Sequence, residues 1–198
     1  MDTIGFIGAG NMAEAFIKGI IASGLYTPDS VIASDVRPER LQYLQETYKI
    51  RTTLDNLELV RYAKVVVLSV KPQNMAKMVD GIAGKLRENV LVISIAAGIT
   101  TGYLHRKLGN VQIVRSMPNT PAMVGEGASA LFCTDVSDKA RRRAVELFSA
   151  VGKAVIVEKE ELIDAVTAVS GSGPAYFFLL MEEMVRAAEQ MGIPTDIA

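Results

Sequence analysis

The sequence predicts an α/β fold, a doubly wound and mainly parallel sheet, followed by a short helical region. Three observations carry this. Short β-branched runs alternate with longer helical patterns up to about residue 157, as in a parallel sheet flanked by helices. Two of these runs, Lys64–Val70 and Val90–Ile95, are almost wholly apolar, as strands covered on both faces are. Beyond Val157 the β pattern stops and only helical spacing remains.

The elements follow in order. Thr3–Ile7 reads as the first strand and Met12–Ser23 as the helix after it. Val31–Ser34 is the second strand, and Pro38 is placed to open a helix at its first turn. Lys64–Val70, Val90–Ile95, Val111–Arg115 and Val155–Val157 supply further strands. Ala128–Cys133 is another, of unassigned direction. Asp138–Val151 alternates charged and apolar residues at helical spacing, with Ser137 as its cap. Glu160–Val169 is helical and is broken by Ser170-Gly171-Ser172-Gly173. Pro174 then starts a long helix to about Met191, ended by Gly192 and Pro194. The broadly apolar face Phe177, Leu180, Met181, Met184, Val185, Ala188 finds no cover in the residues after Pro194, so the chain reads as truncated.

Composition narrows the function classes. The 198 residues carry 21 basic and 22 acidic side chains, a net charge of −1, which gives no electrostatic reason to expect nucleic acid or an anionic membrane as partner. The one cysteine, Cys133, excludes an intramolecular disulfide and fits a reducing compartment. It lies in an apolar strand and reads as a buried small residue. The apolar windows are short or interrupted by charge, so a soluble, cytoplasmic protein is expected. No Cys/His cluster has metal spacing. The lone histidine, His105, sits in a polar helical run beside Arg106 and Lys107 and reads as surface.

Chemistry concentrates first in Gly8-Ala9-Gly10-Asn11-Met12-Ala13, a G-x-G-x-x-A between a strand and a helix. Gly8 permits the tight turn, Gly10 lets the backbone approach a pyrophosphate, and Ala13 allows close helix–sheet packing. The free N–H groups and positive end of the helix favour the phosphates. An acid, Asp35, stands at the end of the next strand, where dinucleotide-binding domains of the Rossmann type hold a ribose. Arg37 follows it and suits an additional phosphate; Arg40 lies near, and both arginines equally fit a solvated helix start. Cofactor choice stays open on charge alone.

Two more strand ends are candidates. Val70-Lys71-Pro72 closes one buried strand, and Lys71 is either held near the cleft or a surface lysine before a helix. Ala96-Ala97-Gly98 closes the next, with residues small enough for a nicotinamide ring to lie against the backbone. Met117-Pro118-Asn119-Thr120-Pro121 is a rigid loop presenting an amide and a hydroxyl at a strand edge. It fits a site or a structural turn equally well.

FIGAGNM, VKP, SIAAGIT, RSMPNTP and VSGSGPAY (Val169–Tyr176) occur together in this order, and the chain thereby resembles the Δ1-pyrroline-5-carboxylate reductases from Ile4 to Pro194. The resemblance implies a Rossmann domain, here residues 1–158, and a helical domain that builds the dimer, begun by residues 159–198. It implies reduction of 1-pyrroline-5-carboxylate to L-proline, usually with NADP(H) and in some members NAD(H), by a homo-oligomer. By position it implies that Gly8, Gly10, Asn11, Met12, Asp35, Arg37, Asn56, Val70, Lys71, Pro72, Ala97 and Gly98 hold the cofactor. Asn119, Thr120, Glu160 and Ser172 are the implied substrate-pocket residues, with no certain catalytic side chain and no metal. The family's later Gly-rich segment, whose backbone holds the substrate carboxylate, has no counterpart in these residues, so weak activity of this stretch alone is expected.

Competing readings have their own demands. A hydroxy-acid dehydrogenase of this architecture wants a lysine on the helix after the sheet, and Val166–Tyr176 has none. A noncatalytic nucleotide sensor would need only the dinucleotide half.

Overall fold

The computed structural model describes residues 2–133 and 135–198. Eight strands form one sheet in the order β3-β2-β1-β4-β5-β6-β7-β8. They are β1 (Ile4–Ile7), β2 (Val31–Ser34), β3 (Arg51–Thr53), β4 (Val65–Leu68), β5 (Leu91–Ser94), β6 (Gln112–Met117), β7 (Gly127–Phe132) and β8 (Gly152–Val157). The first six run parallel. Chain order reverses between β1 and β4, which opens a crevice beyond their C-terminal ends.

Helices cover both faces. On one lie α1 (Asn11–Ala22), α2 (Pro38–Tyr48) and α6 (Asp138–Ser149), where Phe16 meets Phe148 edge-on at 4.8 Å. On the other lie α3 (Asn56–Tyr62), α4 (Pro72–Ile82) and α5 (Thr101–Leu108), built around Leu59, Val79 and Leu104. All four residues of each of β1, β2, β4 and β5 are buried, as their unbroken apolar runs require. Ser137 caps α6 by accepting from the Ala140 amide, as expected from its position.

The strand of unassigned direction, β7, is antiparallel to β6 and parallel to β8. Only a short connection with a 3-10 turn, Thr120–Val124, joins β6 to β7, so no crossover can return the chain to a parallel start. α6 supplies such a crossover between β7 and β8. β3 is a strand beyond those expected, and its Arg51, Thr52 and Thr53 carry no apolar run because it is a sheet edge.

The Ser170–Gly173 stretch does not break the last helix. α7 (Glu161–Val166) passes through a π turn at Thr167–Gly171 into α8 (Gly173–Gln190), one continuous helix over Glu161–Gln190. Ile163 of α7 seats on Met117, Ala130 and Phe132, a small third core. The side chains of α8 are mostly exposed, Phe177 at 69%. Among the described residues this one helix is long and apolar enough to cross a membrane by length and composition, with a mean hydropathy of 1.2 over an 18-residue window. This differs from the expectation that every apolar window is too short or interrupted by charge, because the helix runs on through the serine–glycine stretch.

Gly152 ties β8 to β7 at closest range. Its φ is +144°, and a Cβ there would lie 2.0 Å from the Gly127 carbonyl oxygen. Gly152→Ala is expected to destabilise the fold by about 2–4 kcal/mol through backbone strain and a clash that no rotamer relieves. Urea unfolding checks it; an unchanged midpoint would show that the two strands can separate freely.

Candidate functional site

The crevice beyond β1 and β4 is a groove of about 940 Å³, in the size range of ligand sites. Its floor is the glycine turn. Gly8 adopts φ +93°, and a Cβ there would stand 2.8 Å from the Ser69 carbonyl oxygen, so only glycine fits. The Gly8 amide donates to the Ser34 carbonyl at 2.8 Å. Ser69 Oγ donates to the Gly8 and Ile7 carbonyls at 2.6 and 3.0 Å, locking the ends of β4 and β1 together.

Gly10 has a different reason to be glycine. Its φ of −72° is ordinary, and a Cβ would meet nothing within 4 Å. The space above it is open, which is what a close-lying phosphate needs. Gly10 is also the N-cap of α1 and no side chain caps that helix, so the first-turn amides of Asn11 and Met12 remain to be satisfied from outside. Ala13 is fully buried against the sheet. The site therefore fits a dinucleotide: the cradle and the uncapped helix end meet at one place.

Asp35 and Arg37 form one unit at the groove wall. Asp35 Oδ2 accepts from the Ala9 amide at 2.9 Å, and Oδ1 from the Arg37 amide and Nε at 3.1 and 3.0 Å. Burial opposes ionisation of Asp35, but the Arg37 guanidinium and the two amides outweigh it and hold its carboxyl below the ordinary range. With its oxygens so engaged, Asp35 supports the glycine turn and aims Arg37, which stays 53% exposed beside the groove. Ser34 Oγ donates to Asn56 Oδ1 at 2.7 Å, leaving the Asn56 NH₂ as a donor at the groove edge.

Arg40 has a separate task. Its Nε donates to the Ala9 carbonyl at 2.6 Å, and its guanidinium pairs with Glu14. Tyr43 and Tyr48 donate to the same Glu14 carboxylate at 3.0 and 2.9 Å. Burial raises the Tyr48 hydroxyl to about 12, with help from its bond to Glu14. Arg40 is thus a strut under the turn, half-buried at its guanidinium rather than solvated.

Of the remaining expected cofactor residues, Val70 and Lys71 line the groove. Pro72 begins α4 directly after Lys71, the N-cap. Ala97 and Gly98 form an exposed turn after β5, outside the groove lining. Ser69 and the α4 wall of Gln73, Asn74, Lys77, Met78 and Gly81 also line the groove and carry no motif in the sequence. Their spacing of three and four residues on one helix face could have revealed that wall.

The four substrate-pocket candidates lie in three places, the loop after β6 (Asn119, Thr120), the start of α7 (Glu160) and the end of the π turn (Ser172). Asn119 is 8% exposed; its Oδ1 accepts from the Ala128 amide at 2.9 Å and its Nδ2 donates to the Ser170 carbonyl at 3.2 Å. Thr120 is exposed at the start of the 3-10 turn. Ser172 Oγ donates back to the Thr167 carbonyl at 3.0 Å. Glu160 accepts from the Thr101 amide and hydroxyl at 2.7 and 2.9 Å and from Arg115 at 3.3 Å, so it clamps the start of α5 just beyond the Ala97–Gly98 turn. Arg115, missed in the sequence, has a side chain only 1% exposed and also binds Asp164 at 2.5 Å. Its Nε finds no acceptor among the described residues. His105 is half-buried near the C-terminus of α5, and burial pushes the Cys133 thiol up to about 11.

Because Arg40 supports the turn from beneath, Arg40→Met is expected to weaken NADPH and NADH equally, by about 1–2 kcal/mol for a lost charged hydrogen bond. Calorimetric titration of both cofactors checks this; a loss confined to NADPH would make Arg40 a phosphate ligand.

Comparison with known proteins bears on both halves. Residues 3–98 match the family model described as NADP oxidoreductase coenzyme F420-dependent, and residues 160–198 match that of pyrroline-5-carboxylate reductase dimerisation. The chain is 46% identical over 197 residues to the pyrroline-5-carboxylate reductase of Pseudomonas aeruginosa, covering 98% of this chain and 72% of that protein. It is 37% identical to the Arabidopsis thaliana reductase over 196 residues, 98% of this chain and 71% of that one. The structure of the Coxiella burnetii reductase superposes with a TM-score of 0.89 at 39% identity, covering 98% and 73% of the two chains. The Plasmodium falciparum reductase, solved with NADP bound, superposes at 0.87 with 27% identity, covering 98% and 72%. A 3-hydroxyisobutyrate dehydrogenase from Salmonella typhimurium, at 17% identity and a TM-score of 0.78, shares the fold alone. A switch-point groove with an uncapped helix end, joined to a dimerisation segment and matched over nearly the whole chain, leads to one conclusion: this chain belongs to the pyrroline-5-carboxylate reductase family.

Proposed function

We propose that the chain reduces 1-pyrroline-5-carboxylate to L-proline with a reduced nicotinamide dinucleotide, the last step of proline biosynthesis. One observation carries the reading. The open space over Gly10 and the uncapped start of α1 meet at the switch point of a chain 46% identical to a reductase of that name.

The residues divide the work. The turn Gly8–Gly10 and the amides of Asn11 and Met12 take the pyrophosphate. Asp35 holds the glycine turn and Arg37 in place at the adenosine ribose, which Arg37 and Asn56 serve directly, with the exposed Arg37 guanidinium available to a phosphate on it. NADP(H) is therefore the expected cofactor and NAD(H) the weaker one, in keeping with the NADP-bound Plasmodium falciparum relative. Val70, Lys71, Pro72, Ala97 and Gly98 flank the nicotinamide end. Asn119, Thr120, Glu160 and Ser172 frame the substrate end.

When bound, the reduced nicotinamide supplies the hydride. The imine carbon accepts it once the ring nitrogen is protonated, and a protonated imine forms in water. The chain then needs no strong acid of its own; its task is to hold the carbon in line and keep the cleft dry. Glu160, bound by Thr101 and Arg115, keeps the helical segment against the loop that follows β5.

A division into residues 1–158 and 159–198 fits the end of β8 at Val157, after which the described chain is helix and turn. The exposed Phe177, Leu180, Met181 and Met184 favour a homo-oligomer formed through the last helices. Glu182, Glu183 and Arg186 on the same helix suit a protein partner better than lipid, in line with a cytoplasmic enzyme acting on a small molecule.

The direct test is oxidation of NADPH or NADH, followed by loss of the reduced nicotinamide's absorbance, with 1-pyrroline-5-carboxylate as substrate. No substrate-dependent oxidation would sink the reading. Gly10→Val is expected to abolish binding of both cofactors by filling the space over the turn. Arg37→Ala should weaken NADPH more than NADH by about 1–2 kcal/mol, read by calorimetry; equal losses would leave Arg37 a plain surface charge.

A further inference from the structure

The helix that leaves the sheet contains a built-in gap. In an α-helix the Ser170 carbonyl accepts from the amide of residue 174, but residue 174 is proline and has no N–H. The chain widens here into the π turn Thr167–Gly171, with the Ser172 amide bonded to the Thr167 carbonyl at 2.9 Å. π turns of this kind recur at functional sites. The donor that reaches the Ser170 carbonyl comes from another part of the chain, Asn119 Nδ2 at 3.2 Å. Asn119 is itself held at its other end, where Oδ1 accepts from the Ala128 amide at the start of β7. Nearby, a Cβ on Gly171 would lie 3.3 Å from Met117 Cγ, so β6 touches the turn at a second point.

We propose that Asn119 is a positioning residue: it replaces the amide that Pro174 lacks and so fixes the π turn, with Ser172 in it, against the end of β6. This rests on the reading of Asn119, Thr120, Glu160 and Ser172 as the substrate end. It assigns Asn119 a bond to the protein in place of one to substrate. The two prolines and the asparagine of the loop after β6 and the Ser-Gly-Ser-Gly-Pro stretch then form one device, two segments 51 residues apart joined by one side chain.

The test separates the bridge from its alternatives. Asn119→Asp keeps the acceptor for the Ala128 amide but removes the donor to Ser170. Pro174→Ala returns an N–H at the position where the carbonyl can take it, in a residue that favours helix. Asn119→Asp is expected to lower kcat at least fivefold and speed amide exchange across residues 167–176, with the NADPH Kd unchanged within twofold. Pro174→Ala alone should resemble the unsubstituted chain. Asn119→Asp with Pro174→Ala should slow exchange again and recover most of kcat. A double variant no better than the single one overturns the proposal, as does an Asn119→Asp chain with unchanged exchange. Recovery of exchange without recovery of kcat overturns it too, by making Asn119 a substrate contact. The exchange readings do not depend on turnover, so they test the bridge even if 1-pyrroline-5-carboxylate proves not to be the substrate.

Discussion

At Gly8 the chain turns with a positive φ while the Ser69 carbonyl stands 2.8 Å from where a side chain would begin, and the mouth of the cleft is organised around that approach. It brings the ends of β1 and β4 close enough for the Ser69 hydroxyl to bridge them. The same turn presents its Ala9 amide to Asp35 and its Ala9 carbonyl to Arg40, so one charged side chain of each sign braces each polarity of a single residue. Preorganisation of this kind matters because a loop that must order itself on binding loses affinity to conformational entropy. Asp35 and Glu14 are both held below the ordinary carboxyl range, in each case with arginine and hydrogen bonds overcoming burial. Their support is therefore complete above an unfolded carboxyl value of about 4 and is lost only as pH falls through the lower folded values.

The seat of α7 on the sheet depends on a different kind of contact. Arg115 is a buried cation held by Glu160 and Asp164, and Asp164 is itself 64% exposed. Taking the Arg115 cation out of water offsets much of its attraction to the two carboxylates, yet removing them would strand it in the sheet. Their value lies in direction. Arg115 admits α7 in the one placement that reaches both carboxylates, and Glu160 carries that placement on to Thr101 and the loop after β5. The small apolar core under Ile163 contributes area, and the charges contribute registry.

Much of this was legible in the sequence, for physical reasons that differ by element. Doubly covered strands must be apolar throughout, so β1, β4 and β5 announced themselves. The glycine turn was legible because its three small residues each answer a separate steric demand. β3 was not legible, since an edge strand of Arg-Thr-Thr has no buried face to pattern. Nor was the direction of β7, which depends on how far a nine-residue connection can carry the chain (118 to 126). The helix over Glu161–Gln190 was misread because serine, glycine and proline ordinarily punctuate, whereas here the π turn and the Asn119 side chain absorb them. Arg115 was hidden for a related reason: charge in a strand reads as exposure, and only its partners 45 and 49 residues away explain its burial. The roles of Asp35 and Arg40 likewise needed the tertiary structure, because spacing along the chain places charges without saying where they point.

Cys133 ends β7's side of the sheet at 5% exposure, its thiol raised to about 11 by burial. At neutral pH on the order of one such thiol in ten thousand is ionised, and it is the thiolate that reacts with peroxides and disulfides. The chain has no other sulfhydryl. Buried and almost wholly protonated, Cys133 thus sits in its strand end as a small apolar side chain that offers an oxidant little thiolate to attack.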